Sequence, residues 1–268
     1  MLFNAINATV KTDKFSMDYV RFGKGKKILV MLPGLGESLR SVKGTALPMA
    51  FMYRKLAKDY TVYIFSRRDN MPQGYTTTDM AADQKAAFDA LGINKACVIG
   101  VSMGGMIAQH FAADFPGYVQ KLALVVTCAK PNSTAEKAIN HWITLVKKGS
   151  YKAFMDSNVK LIYSDKYYRK NKLLVPFVSI VTKPKSFDRF FIQSSACLEH
   201  NAHDKLGRIS CPVFVIGGEK DLVVGGDASR EIAAAIKGAT LKMYSQWGHG
   251  LYEEASDFVD IVAEFFRQ

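Results

Sequence analysis

Apolar and polar positions follow two rhythms along this chain, and the changes between them mark out its elements. Residues 3–10 and 15–22 alternate with a period near two, as half-buried strands do, and the polar stretch 11–14 reads as the turn between them. After Lys26-Lys27 the pattern becomes continuous: Ile28-Leu29-Val30-Met31-Leu32 runs unbroken into Pro33-Gly34-Leu35-Gly36. Similar runs recur at 60–65, 96–99, 122–126, 212–217 and 240–244. Between them, helical spacing is visible around 49–58, 78–91, 103–113 and 255–266, with Met80, Ala81, Ala87, Phe88 and Leu91 near a 3.6-residue period. Strands that are apolar on both faces, alternating with helices, predict an α/β fold. The expected architecture is a mostly parallel central sheet of about eight strands with helices on both faces.

The alternation breaks at Ala129-Lys130-Pro131. Residues 130–205 lack strong strands and are rich in Lys, Tyr, Phe and Ser. The expected organisation is therefore a core in two parts, 1–129 and 206–268, separated by a helical cap, or lid, at 130–205. The chain's 268 residues, 49% apolar, suffice for one large core with a small subdomain, and a charged fraction of 22% argues against wholesale disorder.

Cys97, Cys128, Cys197 and Cys211 show no C-x-x-C spacing, and three of them sit in apolar runs. That is the usage of reduced, buried thiols, and it predicts a cytoplasmic protein. No signal-like n-region and h-region opens the chain, and no 18-residue apolar stretch predicts a membrane span. The formal charge is +12. Residues 130–205 hold fourteen Lys and Arg against six Asp and Glu, so +8 of that excess lies in the expected cap. One reading is attraction of an anionic substrate or surface; the other is a solvated basic face. Lys166-Tyr167-Tyr168-Arg169-Lys170 interleaves aromatic and basic residues, but no nucleic-acid motif accompanies it, and no nucleic-acid partner is expected.

The candidate chemistry centres on Ile99-Gly100-Val101-Ser102-Met103-Gly104-Gly105. A bare G-x-S-x-G is weak evidence. Here it lies between the strand-like Ala96-Cys97-Val98-Ile99 and the helical Met106-Ile107-Ala108-Gln109-His110-Phe111-Ala112. A serine forced onto a sharp strand-to-helix turn is a nucleophile elbow, whose glycines avoid collisions with the neighbouring strand and helix. A serine hydroxyl needs a general base, and the base needs an orienting acid. Asp221, after the run 212–217, and His249, in Gln246-Trp247-Gly248-His249-Gly250 after 240–244, supply them in the order serine, acid, histidine. Glu219 and Asp227 are the local rivals for the acid, with Asp227 expected to cap a helix. Backbone N–H groups of Leu35 and Met103 are the candidate oxyanion donors. His110 reads as packed and His141 as lying on a cap helix. His200 and His203 have a spacing that could suit a metal but lack a third ligand.

With these residues in view, the chain resembles α/β-hydrolase fold proteins of the capped group that includes esterases, enol-lactonases and haloperoxidase-like enzymes. The resemblance runs from about residue 15 to the C-terminus. It rests on Gly100-Val101-Ser102-Met103-Gly104-Gly105, on the contexts of Asp221 and His249, and on Asp79-Met80-Ala81-Ala82-Asp83 before the nucleophile strand. Two stretches depart from the pattern. Pro33-Gly34 stands where many relatives carry His-Gly. Arg68-Asp69-Asn70-Met71-Pro72-Gln73-Gly74-Tyr75 stands where relatives often show Asp-x-Arg-Gly-x-Gly-x-Ser.

The resemblance implies a serine hydrolase acting through an acyl-enzyme on a small or medium ester or lactone, with no metal or organic cofactor. The alternatives are carbon–carbon hydrolysis or perhydrolysis with the same residues, or a ligand receptor of the same fold with little turnover. Trp142, Phe154 and Phe190, with Tyr163, Phe187 and Phe191, are the candidate pocket walls. Substrate identity and oligomeric state are not legible.

Overall fold

The computed structural model describes residues 2–268. Strands β1 (Ile6–Lys11), β2 (Ser16–Phe22) and β3 (Lys27–Leu32) lead to helix α1 (Ala46–Met52), then β4 (Tyr60–Arg68), α2 (Thr77–Ala90), β5 (Ala96–Val101), α3 (Met103–Asp114) and β6 (Val119–Val125). Five helices follow without a strand: α4 (Ser133–Lys147), α5 (Tyr151–Ile162), α6 (Asp165–Asn171), α7 (Val175–Thr182) and α8 (Asp188–Leu198). The strand–helix pattern resumes with β7 (Val213–Gly218), α9 (Asp227–Ala235), β8 (Thr240–Tyr244), α10 (Leu251–Glu254) and α11 (Phe258–Arg267).

The eight strands form one sheet in the order β1-β2-β4-β3-β5-β6-β7-β8. The β1–β2 and β2–β4 pairs are antiparallel and the other five are parallel. The continuous apolar runs have a simple cause. Val30 and Leu32 of β3, Val98 of β5 and Leu122 and Leu124 of β6 pack on one face, with α2, α3 and α9. Leu29 and Met31, Cys97 and Ile99, and Ala123 and Val125 point the other way, against α1 and α11. Successive strand residues face opposite sides, so a sheet covered on both sides requires apolar side chains at every position.

The helices start and dock as their sequences dictate. Thr76 and Asp79 close a reciprocal capping box at the start of α2. In α3 every residue but Asp114 is buried. α11 anchors the C-terminus through Phe258, Val262 and Phe266, each 3% exposed or less and spaced i, i+4, i+8. Burying side chains of this size stabilises by about 1.5–3 kcal/mol each.

Two helices differ from expectation. The periodicity over 49–58 is divided between α1 and a separate 3₁₀ turn at Leu56–Lys58. Leu56 and Asp59 bond to carbonyls three residues back, so a spacing of three is satisfied without a continuous α-helix. The pattern over 255–266 begins as a helix only at Phe258, because Ala255 adopts an extended conformation that ends α10. All four cysteines are free, and burial pushes the Cys97 thiol up to about 11. Among the described residues no helix is long and apolar enough to cross a membrane.

Candidate active site

Ser102 sits at the junction of β5 and α3 with φ 53° and ψ −121°, a conformation that non-glycine residues reach only under constraint. The constraint comes from close packing on both sides. A Cβ on Gly100 would lie 2.6 Å from the Gly104 carbonyl oxygen and 2.7 Å from the Gly105 Cα; one on Gly104 would collide with the Leu32 carbonyl. One on Gly105 would reach within 2.6 Å of the Thr127 Cβ. These glycines let α3 press against β3 and the chain after β6. The Ser102 amide donates to Val125 O at 2.9 Å, which ties the turn to β6.

β7 and β8 run parallel to β5, so the loops leaving all three strands emerge on one edge of the sheet. That edge gathers the three candidates. The Ser102 hydroxyl donates to His249 Nε2 across 2.9 Å, and His249 Nδ1–H donates to Asp221 Oδ2 across 2.8 Å. Asp221 Oδ1 accepts the amides of Val223 and Val224 at 2.8 and 2.9 Å, which fixes the carboxylate plane. Asp221 and His249 are buried. The rivals are occupied elsewhere: Glu219 pairs with Arg230, and Asp227 is exposed. Asp227 opens α9 as its first residue and does not cap it; Gly226 holds the cap position.

The loop after β3 faces the serine, since a Cβ on Gly34 would lie 3.7 Å from Ser102 Oγ. The Leu35 and Met103 amides donate to no partner among the described residues, so both are free to meet an oxyanion. A feature that sequence reasoning missed holds this loop. Glu37 is buried, and its carboxylate accepts from Arg189, from Gln193 Nε2 at 2.8 Å and from the Arg67 amide at 3.2 Å. Arg67 in turn donates to the Pro33 carbonyl. Burial pushes the Arg67 guanidinium below its ordinary value, and neighbouring Glu37 opposes that shift. The helical segment thus reaches the loop directly through α8. In the sequence Arg67 is a charge just beyond the apolar run 60–65, and nothing there points to Glu37, 30 residues earlier.

Ser102 and His249 open into a cavity of about 330 Å³. Trp142, Phe154, Phe190 and Tyr163 line it, together with Leu35, Met49, Met52, Tyr53, Ile162, Val223 and Tyr252. Of the candidate walls, Phe187 and Phe191 lie elsewhere; Phe191 borders a separate surface cleft. The ionisable lining groups besides His249 are Glu37, Glu253 and tyrosines, and no Lys or Arg is among the described lining residues. Tyr163 donates to Glu253 at 2.8 Å. The loop carrying His249 is latched to the α5–α6 junction: the Gly250 amide donates to Ile162 O, and Ser164 binds Glu254.

The remaining histidines lie away from this edge. His110 and His200 are buried edge to face with centroids 5.1 Å apart, and the Thr77 hydroxyl is 3.0 Å from His200 Nδ1. Desolvation is the main cause that lowers His110 to about 4 and His200 to about 3. His203 is exposed, and among the described residues no three His, Cys, Asp or Glu side chains converge as metal ligands. His141 is exposed on α4 and does not line the cavity.

Comparison with known proteins bears on the fold. Residues 27–148 match the model of the α/β hydrolase fold. A putative carbamate hydrolase, RutD, of Caulobacter segnis is 24% identical over 84% of this chain and 85% of its own length. An α/β hydrolase enzyme from a Medee basin deep-sea metagenome library superposes with a TM-score of 0.84 at 22% identity, covering 97% of this chain and 98% of that one. The enol-lactonase of Burkholderia xenovorans LB400 gives 0.81 at 21%, covering 98% and 100%. The strand order, the parallel core, the five-helix insertion after β6 and these matches agree: this chain is a protein of the α/β-hydrolase fold.

Proposed function

We propose that the chain is a serine hydrolase that cleaves small, uncharged carboxylic esters or lactones through an acyl-enzyme. The observation that carries this reading is the unbroken relay from Ser102 through His249 to Asp221, opening on an apolar cavity. Ser102 Oγ attacks the carbonyl carbon while His249 Nε2 takes its proton. Asp221 holds the ring in the tautomer whose Nε2 is free to accept, and it stabilises the imidazolium that forms. The Leu35 and Met103 amides receive the oxyanion; a donor of this kind contributes about 3–4 kcal/mol of transition-state stabilisation. Collapse of the intermediate passes the proton from His249 to the leaving oxygen. Water then attacks the acyl carbon and gives its proton to His249, which passes it to Ser102 Oγ as the acid is released.

The cavity argues for the substrate class. Its volume of about 330 Å³ lies at the small end of the roughly 300–1,000 Å³ usual for small-molecule pockets, which suits a compact ligand. No Lys or Arg lines the cavity and Arg189 is already paired with Glu37, so a carboxylate entering this space would lose hydration without a free counter-charge, which disfavours an anionic substrate. The basic excess of residues 130–205 therefore belongs to the outer surface of the cap that these helices form. The names of the similar proteins, a lactonase and a putative carbamate hydrolase, suit the same acyl chemistry.

The test is turnover of short p-nitrophenyl esters together with labelling by a fluorophosphonate. Wild type should do both and Ser102→Ala neither. A wild type as inert as the variant across several acyl lengths, and unlabelled, returns the chain to the receptor reading.

A further inference from the structure

Helix α7 carries an apolar face that the rest of the molecule does not use. Its inward seam is Val175 and Ser179, which are buried at i, i+4. The opposite side, Phe177, Ile180 and Val181 with Leu173 and Leu174 of the preceding turn, projects outward. Leu173 is 84% exposed, Ile180 77% and Phe177 68%. Exposed apolar residues are ordinary when scattered; six on one short stretch, counting Val178, form a patch that calls for a partner.

The patch is flanked by one sign of charge. Between residues 160 and 185 lie Lys160, Lys166, Arg169, Lys170, Lys172, Lys183 and Lys185, against a single acid, Asp165. All seven are exposed, and none forms an ion pair among the described residues.

We propose that α7 and its basic flanks are a docking surface for an anionic phospholipid bilayer, on which the molecule lies peripherally. An apolar helix face bordered by lysines is the arrangement that enters the interface of such a bilayer, with its aliphatic side chains among the acyl chains and its ammonium groups at the phosphates. A second copy of the chain is a poorer occupant, because a symmetric contact would bring two such basic segments together. α7 packs on α5, whose Asn158 and Ile162 line the cavity, so docking would hold the pocket near the apolar phase where small apolar esters accumulate.

The experiment is co-sedimentation of the full chain with phosphatidylcholine vesicles, with and without phosphatidylglycerol. The wild type binds the anionic vesicles, weakly binds the neutral ones, and releases at high salt. Phe177→Asp with Ile180→Asp abolishes binding. Lys166→Gln, Lys170→Gln and Lys172→Gln together cost roughly a hundredfold in affinity for anionic vesicles, at roughly fivefold per lysine. Turnover of soluble esters, measured in parallel, stays at the wild-type level because none of these residues lines the cavity. No sedimentation with anionic vesicles at low salt overturns the proposal. So does binding that both sets of variants retain, or a dimer in light scattering that Phe177→Asp with Ile180→Asp dissociates. None of these outcomes bears on the hydrolase reading, which the ester assay judges separately.

Discussion

Replacing Asp221 by asparagine changes the charge and hydrogen-bonding character of one side chain while keeping its shape. Oδ1 accepts the Val223 and Val224 amides, and an asparagine carbonyl oxygen can remain there. Its NH₂ then takes the position of Oδ2, 2.8 Å from His249 Nδ1. That group donates, so Nδ1 must accept and the ring proton must move to Nε2. Nε2 in turn becomes a donor and can no longer take the Ser102 proton across its 2.9 Å contact. The expected loss is about 10³–10⁴ in kcat/KM, or about 4–5.5 kcal/mol of transition-state stabilisation. Stability should hardly change, because the buried amides keep their acceptor. Asp221→Ala behaves differently: it leaves both amides unpartnered, at about 1–3 kcal/mol each, and so lowers activity and unfolding midpoint together. The assay is p-nitrophenyl ester kinetics beside thermal melting for the three proteins. An Asp221→Asn enzyme within tenfold of wild type, with Ser102→Ala inactive, would refute the tautomer argument and remove Asp221 from the relay.

Other outcomes follow from the same structure. Gly104→Ala drives a methyl group into the Leu32 carbonyl and should destabilise by at least about 3 kcal/mol or prevent folding, as read by chemical denaturation. Glu37→Ala strips the acceptor from Arg67, Arg189 and Gln193, so a loss of about 3–5 kcal/mol is expected, with kcat falling as the Leu35 loop loosens. An unchanged melting curve would show that the buried network does not hold the loop. His110 and His200 titrate near 4 and 3 when folded, below their ordinary value near 6.5. The unfolded chain therefore binds more protons in that interval. Their contribution is complete above about pH 6.5 and is lost as pH falls towards 4 and 3, at about 1.4 kcal/mol per pH unit for each ring. Urea titrations between about pH 7 and 4 should show this slope reduced in His200→Asn, which can keep the bond to Thr77.

The sequence by itself determined the layers and pointed to the candidate reacting groups. Strand runs such as Leu29-Val30-Met31-Leu32 admit one environment, a sheet covered on both faces. G-x-S-x-G between such a run and a helix admits few geometries, since the glycines leave space only for close crossing. Once the strands are parallel, chain order alone delivers Asp221 and His249 to the edge that holds Ser102, because every such strand ends on the same side. These inferences rest on local periodicity and on the directionality of a parallel sheet.

What only the tertiary structure decided depends on contacts between distant segments. Glu37 meets Arg189 and Gln193 across more than 150 residues, and neither side carries a pattern that names the other. Phe190 faces the cavity while its neighbour Phe191 borders a separate cleft, because consecutive helical residues point about 100° apart and the docking angle of α8 selects between them. Which side chains of 130–205 face the pocket was likewise hidden. Lys and Arg dominate the charge of that segment, but the side chains it sends to the cavity are aromatic and aliphatic, with Asn158. Composition averages over a segment, whereas a site is made by the few side chains that packing turns inward.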